Sequence, residues 1–195
     1  MMTSEELDKQ LCEKYPKLFK DRHGNMMETA MCWGIEHGPG WGNILMALCA
    51  NIQWHIDQSV EQNARAIKYE AIRAAAVAGD FTLFDEDHIG TTPSYREKRL
   101  KEIVNEKPRK IPEIIHQVTV TQVKEKFGTL RFYYSGGDDY IDGLVSMAES
   151  MSACTCEECG KPGRTNSGGW LRTLCEEHAK ERGTFEEDED NSVEP

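Results

Sequence analysis

No stretch of this 195-residue chain approaches the roughly 20 consecutive apolar residues that a membrane-spanning helix needs. Aromatic residues are scarce at 8%, and hydrophobic residues reach only 38%. They nevertheless fall in periodic blocks, so one ordinary domain with a small appendage, or two small domains, is expected. The opening MMTSEELDKQ lacks the basic-then-apolar order of a secretory signal. An odd count of seven cysteines argues against a disulfide framework, and a reducing cytosol is the expected compartment. Basic residues are also in short supply, 23 against 34 acidic ones, for a net charge of −11. Six acids and no base lie in residues 186–195, which leaves a balance of −5 for residues 1–185. A field of this sign repels phosphate backbones. The tail over 184–195 is a block of like charge and is expected to be disordered.

What is present reads as an α+β protein. Thr3 and Glu6 have capping-box spacing ahead of Leu7 and Leu11, which predicts a helix over 4–15 ended by Pro16. Residues 20–43 read as loops with a short element near 31–35. Helical spacing of Ile44, Leu45, Leu48, Cys49, Ile52 and Ile56 predicts a buried helix over 43–57. A second helix over 61–78 is expected to pack through Ile67, Ala71, Ala74, Ala75 and Ala78 and to stop at Gly79. Residues 80–92 read as a loop, and Pro93 opens a charged helix over 93–106. After Pro108 and Pro112 the period changes to two, predicting an antiparallel hairpin over 115–135 with its turn at 124–126. Ile141, Leu144, Val145, Ala148 and Met151 then mark an amphipathic helix over 139–152.

That helix leads into C156-E-E-C159-G-K-P-G, a gap of fifteen residues, and C175-E-E-H178. Two thiolates three apart reach one ion from a tight knuckle, where Gly160 supplies the needed backbone freedom. Cys175 and His178, at the start of a helical LCEEHAKER, share one face of its first turn. Cys₃His is a standard structural zinc set, and knuckle, GGWLRTL hairpin and helix together give a treble-clef-like finger over 153–183. So short a segment cannot bury a stable core without a metal. One structural Zn²⁺ per chain on Cys156, Cys159, Cys175 and His178 is therefore expected. Cys154 is the competing ligand, but its spacing to Cys159 suits a knuckle less well. The domain division expected is 1–152, the finger at 153–183 and the tail at 184–195.

Other signals are weaker. Gly38-Pro39-Gly40-Trp41-Gly42 precedes a helix and invites an anion, but it lacks the P-loop lysine and the GxGxxG spacing, so it reads as a structural loop. Arg96, Lys98 and Arg99 on the charged helix are candidate phosphate or partner contacts, as are Lys161, Arg164, Trp170 and Arg172 on the finger. A solvated helix face is the preferred reading of the first set, given the acidity of the whole chain. The histidines are scattered, and no acid/base pair or triad assembles, so no catalytic residue is assigned.

The run KEKFGTLRFYYSGGDDYIDGLVSMAESMSA, continuing into CEECGKPG and GWLRTLCEEH, resembles a family of uncharacterised proteins of tailed bacteriophages and prophages. The resemblance is strongest over 118–179 and extends weakly to ALCANIQWHID. It implies a phage origin, the bacterial host cytosol as location, and zinc ligands at Cys156, Cys159, Cys175 and His178. It implies no catalytic residue. The function expected is that of a non-catalytic accessory protein that binds a host or phage protein, a host defence protein included. The alternatives are a nucleic-acid-binding zinc-finger module and an enzyme with an unrecognised site.

Overall fold

The computed structural model describes residues 3–166 and 169–184; most of the acidic tail expected over 184–195 therefore lies outside the described residues. The Thr3 hydroxyl accepts the Glu6 N–H and the Glu6 carboxylate accepts the Thr3 N–H, a reciprocal cap that opens α1 (Ser4–Lys14). Leu7 and Leu11 bury one face of α1, and Asp8 beside them pairs with Arg22 at 2.7 Å. Thr29 caps a 3-10 turn (Ala30–Trp33), after which β1 (Ile35–Glu36) runs parallel to β2 (Thr119–Lys126). This two-residue strand has no period to betray it in the sequence.

The two helices expected over 43–57 and 61–78 are one, α2 (Gly42–Val77). No glycine or proline interrupts it, and Ser59 bonds back to the Ile56 carbonyl at 2.7 Å without breaking the helix. The stripe looked broken because the buried positions change face: Ile44, Leu45, Leu48, Cys49 and Ile52 first, then Ile72 and Ala76. Ile67, assigned to the packing face, is 50% exposed. The supposed loop over 80–92 contains α3 (Thr82–Asp87), started by the Asp80 carboxylate on the Thr82 N–H.

The hairpin turn lies at Phe127 and Gly128, one step beyond the 124–126 position expected from the lysines. Both residues have positive φ, +56° and +79°, as a two-residue type I′ turn requires, and glycine meets that demand without strain. β3 (Thr129–Ser135) pairs antiparallel with β2, giving the sheet order β1-β2-β3. The outer edge of β3 is not left open. Helix α5 (Asp139–Ser152) lies along it, with the Ser152 hydroxyl accepting the Leu130 N–H and the Glu149 carboxylate accepting the Phe132 N–H. The short hairpin β4 (Arg164–Asn166) and β5 (Arg172–Leu174) and helix α6 (Glu176–Glu181) complete the described chain. No helix among the described residues is long and apolar enough to cross a membrane.

The chain divides into two units, but not at residue 152. The first comprises residues 1–55 and 116–195, and the second residues 56–115. The cysteine-rich segment lies in the first unit. The second unit packs Ile72 and Ala76 of α2 on Phe84 of α3 and on Leu100 and Ile103 of α4 (Pro93–Asn105).

His37 is the least expected buried group of the first unit. Its Nδ1 lies 2.6 Å from the Gly38 carbonyl, which places the proton there, and its buried Nε2 has no partner. Burial holds the imidazole neutral and lowers its pKa from 6.5 to about 4, against the opposing pull of the Gly38 carbonyl. Below pH 6.5 the unfolded chain takes up a proton that the folded chain refuses, so stability falls as the pH drops from 6.5 to about 4. The loss from this one residue is on the order of 3 kcal/mol. Denaturant titrations across that window will show a shallower decline for His37→Gln than for the wild type. Parallel curves for the two proteins would remove His37 as the cause.

Candidate metal centre

The knuckle forms because residues 156–161 close on themselves. The Gly160 N–H donates to the Cys156 carbonyl at 2.9 Å, and the Cys156 N–H to the Lys161 carbonyl at 2.8 Å. Gly160 takes φ +75° to permit it. The Glu157 N–H donates to the Thr173 carbonyl at 2.9 Å and fixes the knuckle to β5. Cys175 is the residue that precedes α6, and His178 falls within that helix's first turn. These two local folds bring Cys156, Cys159, Cys175 and His178 together, with one ligand atom from each lying within 4.8 Å of all the others. Cys159 Sγ is 3.7 Å from Cys175 Sγ, while His178 Nδ1 is 3.5 Å from Cys156 Sγ and 3.2 Å from Cys175 Sγ. Such a group suits a single metal ion. Cys154 is exposed and outside it, its thiol turned to the Met151 carbonyl at 3.2 Å.

The thiols are not equivalent. Burial, reinforced by the neighbouring sulfurs, pushes Cys159 up to about 11, with the Lys161 N–H working the other way. Burial also opposes ionisation of Cys175, but the His178 backbone N–H and ring outweigh it and bring that thiol down to about 7. Of these two thiols, Cys175 is the more readily ionised and Cys159 the less.

What covers the knuckle comes from far off in the chain. Residues 38–42, read as a structural loop, lie against it. The Gly40 N–H donates to the Glu157 carbonyl at 2.7 Å, the Gly38 N–H to Glu157 Oε1 at 2.9 Å, and the Trp41 indole N–H to the Thr155 carbonyl at 2.8 Å. Glycine is required here for closeness. A Cβ on Gly40 would stand 2.2 Å from the Cys156 carbonyl oxygen and 2.6 Å from both the Glu157 oxygen and the Gly160 nitrogen. Glu157 is 3% exposed and divides its carboxylate between the Gly38 N–H and Arg172, whose Nε lies 2.8 Å from Oε2. The only sequence signal for this contact was the triple glycine itself.

The candidate phosphate contacts fare differently. Arg96 is held bidentately by Asp85 at 2.6 and 2.7 Å, and Arg99 by Glu102 and Glu106 at 3.1 and 3.3 Å; Lys98 is exposed. Lys161 pairs with Glu177 at 2.8 Å, and Arg172 with Glu157 and Glu158 at 2.8 and 3.0 Å. Arg164 is exposed on β4, and Trp170 is 77% exposed with its indole N–H on Glu125 at 3.2 Å. Acids therefore occupy Arg96, Arg99, Lys161 and Arg172, leaving little positive field for a phosphate backbone. His55 meets Asp138 at 3.0 Å, but Asp138 also accepts the Ile141 N–H at the head of α5. No hydroxyl or thiol is bonded to that histidine among the described residues.

Gly40→Ala forces a methyl group into backbone atoms that cannot move aside, so it should cost about 3 kcal/mol or more in denaturant unfolding. Gly143→Ala, in the exposed middle of α5 with nothing within 4 Å of the new atom, should be neutral or stabilising by about 0.5–1 kcal/mol. Equal stability of both variants would show that the loop does not rest on the knuckle.

Compared with known proteins, the chain matches no family model, no curated protein and no solved structure.

Proposed function

We propose that this protein is a non-catalytic accessory protein of a tailed phage or prophage. In this reading it is shaped by one structural zinc ion and acts in the bacterial host cytosol by binding a host or phage protein, with host defence components as the leading targets. The observation that carries the zinc is the ligand spacing. Zn–S bonds of about 2.3 Å and Zn–N bonds of about 2.0–2.1 Å in a tetrahedron put sulfurs roughly 3.8 Å apart and sulfur and nitrogen roughly 3.6 Å apart. The 3.7, 3.5 and 3.2 Å separations lie close to those edges. Three thiolates favour zinc over magnesium or calcium, which take oxygen ligands. Knuckle, β-hairpin and ligand-bearing helix follow the treble-clef order.

Four protein ligands leave no open position for water or substrate, which speaks for a structural ion. A protein partner in place of a phosphate backbone is supported by the acids that hold Arg96, Arg99, Lys161 and Arg172. The phage assignment rests on the sequence resemblance alone.

Metal analysis should find about one zinc per chain, abolished by Cys159→Ser or Cys175→Ser and retained by Cys154→Ser. Loading of metal-free protein at pH 8 should release protons, that of Cys159 among them, read as a total with an indicator dye in weak buffer. Zinc retained in Cys159→Ser would overturn the ligand set.

After nuclease treatment, the immobilised protein should capture a stoichiometric partner from host or infected-cell lysate. Oligonucleotide binding should be weak at physiological salt. Submicromolar binding that weakens steeply with salt, and no protein partner, would replace this reading with the nucleic-acid module.

A further inference from the structure

Beside the metal centre the first unit has a cleft of about 450 Å³ whose lining includes Glu36, Glu125, Asn166, Trp170, Arg172 and Leu174. Its charges do not cancel. Arg172 is taken by Glu157 and Glu158, and Arg182, also at the cleft, meets Glu158 at 2.9 Å. Glu36 and Glu125 have only neutral donors: the Gln122 amide at 3.1 Å for the first, the Gly128 N–H and Trp170 indole for the second. Among the described residues neither carboxylate is paired with a cation. The indole of Trp170, 77% exposed, lines the same cleft with its N–H on Glu125.

A second feature is independent of those acids. Asn166, on β4, is 7% exposed, lines the same cleft, and its buried Nδ2 has no hydrogen-bond partner among the described residues. An orphaned buried amide donor costs on the order of 1–3 kcal/mol, which a ligand carbonyl recovers once the amide turns about its last torsion.

We infer that this cleft is a binding site for an extended basic peptide segment, with an arginine or lysine side chain over Trp170 toward Glu36 and Glu125 and a peptide carbonyl on Asn166. Two carboxylates without a cationic partner disfavour an anion, and an exposed indole face lining the same cleft attracts a cation by its quadrupole. The net charge of −11 draws basic partners from a distance. The inference rests on the reading of the chain as a binding protein and names the partner chemistry for it.

The test is an NMR titration of the zinc-loaded full chain with a blocked tripeptide carrying a central arginine. Its glutamate and norleucine counterparts serve as controls. The arginine peptide should shift the Trp170 indole and Asn166 amide signals, saturating at millimolar concentration or below, and the controls should not. Trp170→Ala and Glu36→Gln, both at exposed positions and each checked for full metal content, should weaken binding at least about tenfold. Equal response to all three peptides, no response, or unchanged affinity in both variants would overturn the inference. Because the titration needs no lysate, its failure beside a captured partner discards only the cleft. Success without a captured partner keeps the cleft and discards the proposed accessory role.

Discussion

Residues 38–42 meet residues 156–160 with backbone against backbone, and Gly40 stands where no side chain fits. The individual hydrogen bonds across this seam contribute about 0.5–1.5 kcal/mol each in net terms. A structural zinc ion on the Cys₃His group would contribute about 10–16 kcal/mol in apparent terms. An ion held there would therefore govern whether the knuckle has a shape at all, and the seam would carry that dependence to residues 38–42. Trp41, fully buried and bonded to Thr155, lies directly on that route, one step before α2 begins. A metal site here is a tertiary staple joining distant parts of the chain, not the private core of an appended finger.

Electrostatics follow the same economy. Glu157 is nearly inaccessible, and a buried carboxylate is tolerated only when hydrogen-bonded and paired. The Gly38 N–H and Arg172 meet that demand from opposite ends of the sequence. In the second unit the Tyr69 hydroxyl and Arg109 converge on Glu106, and those contacts hold its carboxyl at about 2. A basic-looking stretch thus spends its charge internally. Among the described residues Glu36 and Glu125 have neutral donors but no cationic partner.

The small sheet depends on neighbours as well. With three strands, its β3 edge would offer free N–H groups to any passing chain, and α5 covers them with two side-chain acceptors. The same helix turns Ile141, Val145 and Ala148 inward, so one element supplies both core and edge protection.

By itself the sequence determined whatever depends on residues close together in the chain. The capping of α1 by Thr3 and Glu6, the inward stripe of Ile141, Val145 and Ala148, and the metal-binding pattern of Cys156, Cys159, Cys175 and His178 each need only a turn or two of backbone. A knuckle and a first helical turn set their own ligand geometry. Only the tertiary structure decided the rest. It made α2 one helix, because a change of buried face looks like a break when the surroundings are unknown. It made a strand of Ile35 and Glu36, because two residues have no period and gain their hydrogen bonds only from β2. It neutralised Arg96, Arg99, Lys161 and Arg172, because the identity of a cation's partner depends on side chains that folding brings near. And it set the triple-glycine loop on the metal knuckle, since a missing Cβ records that something comes close without recording what.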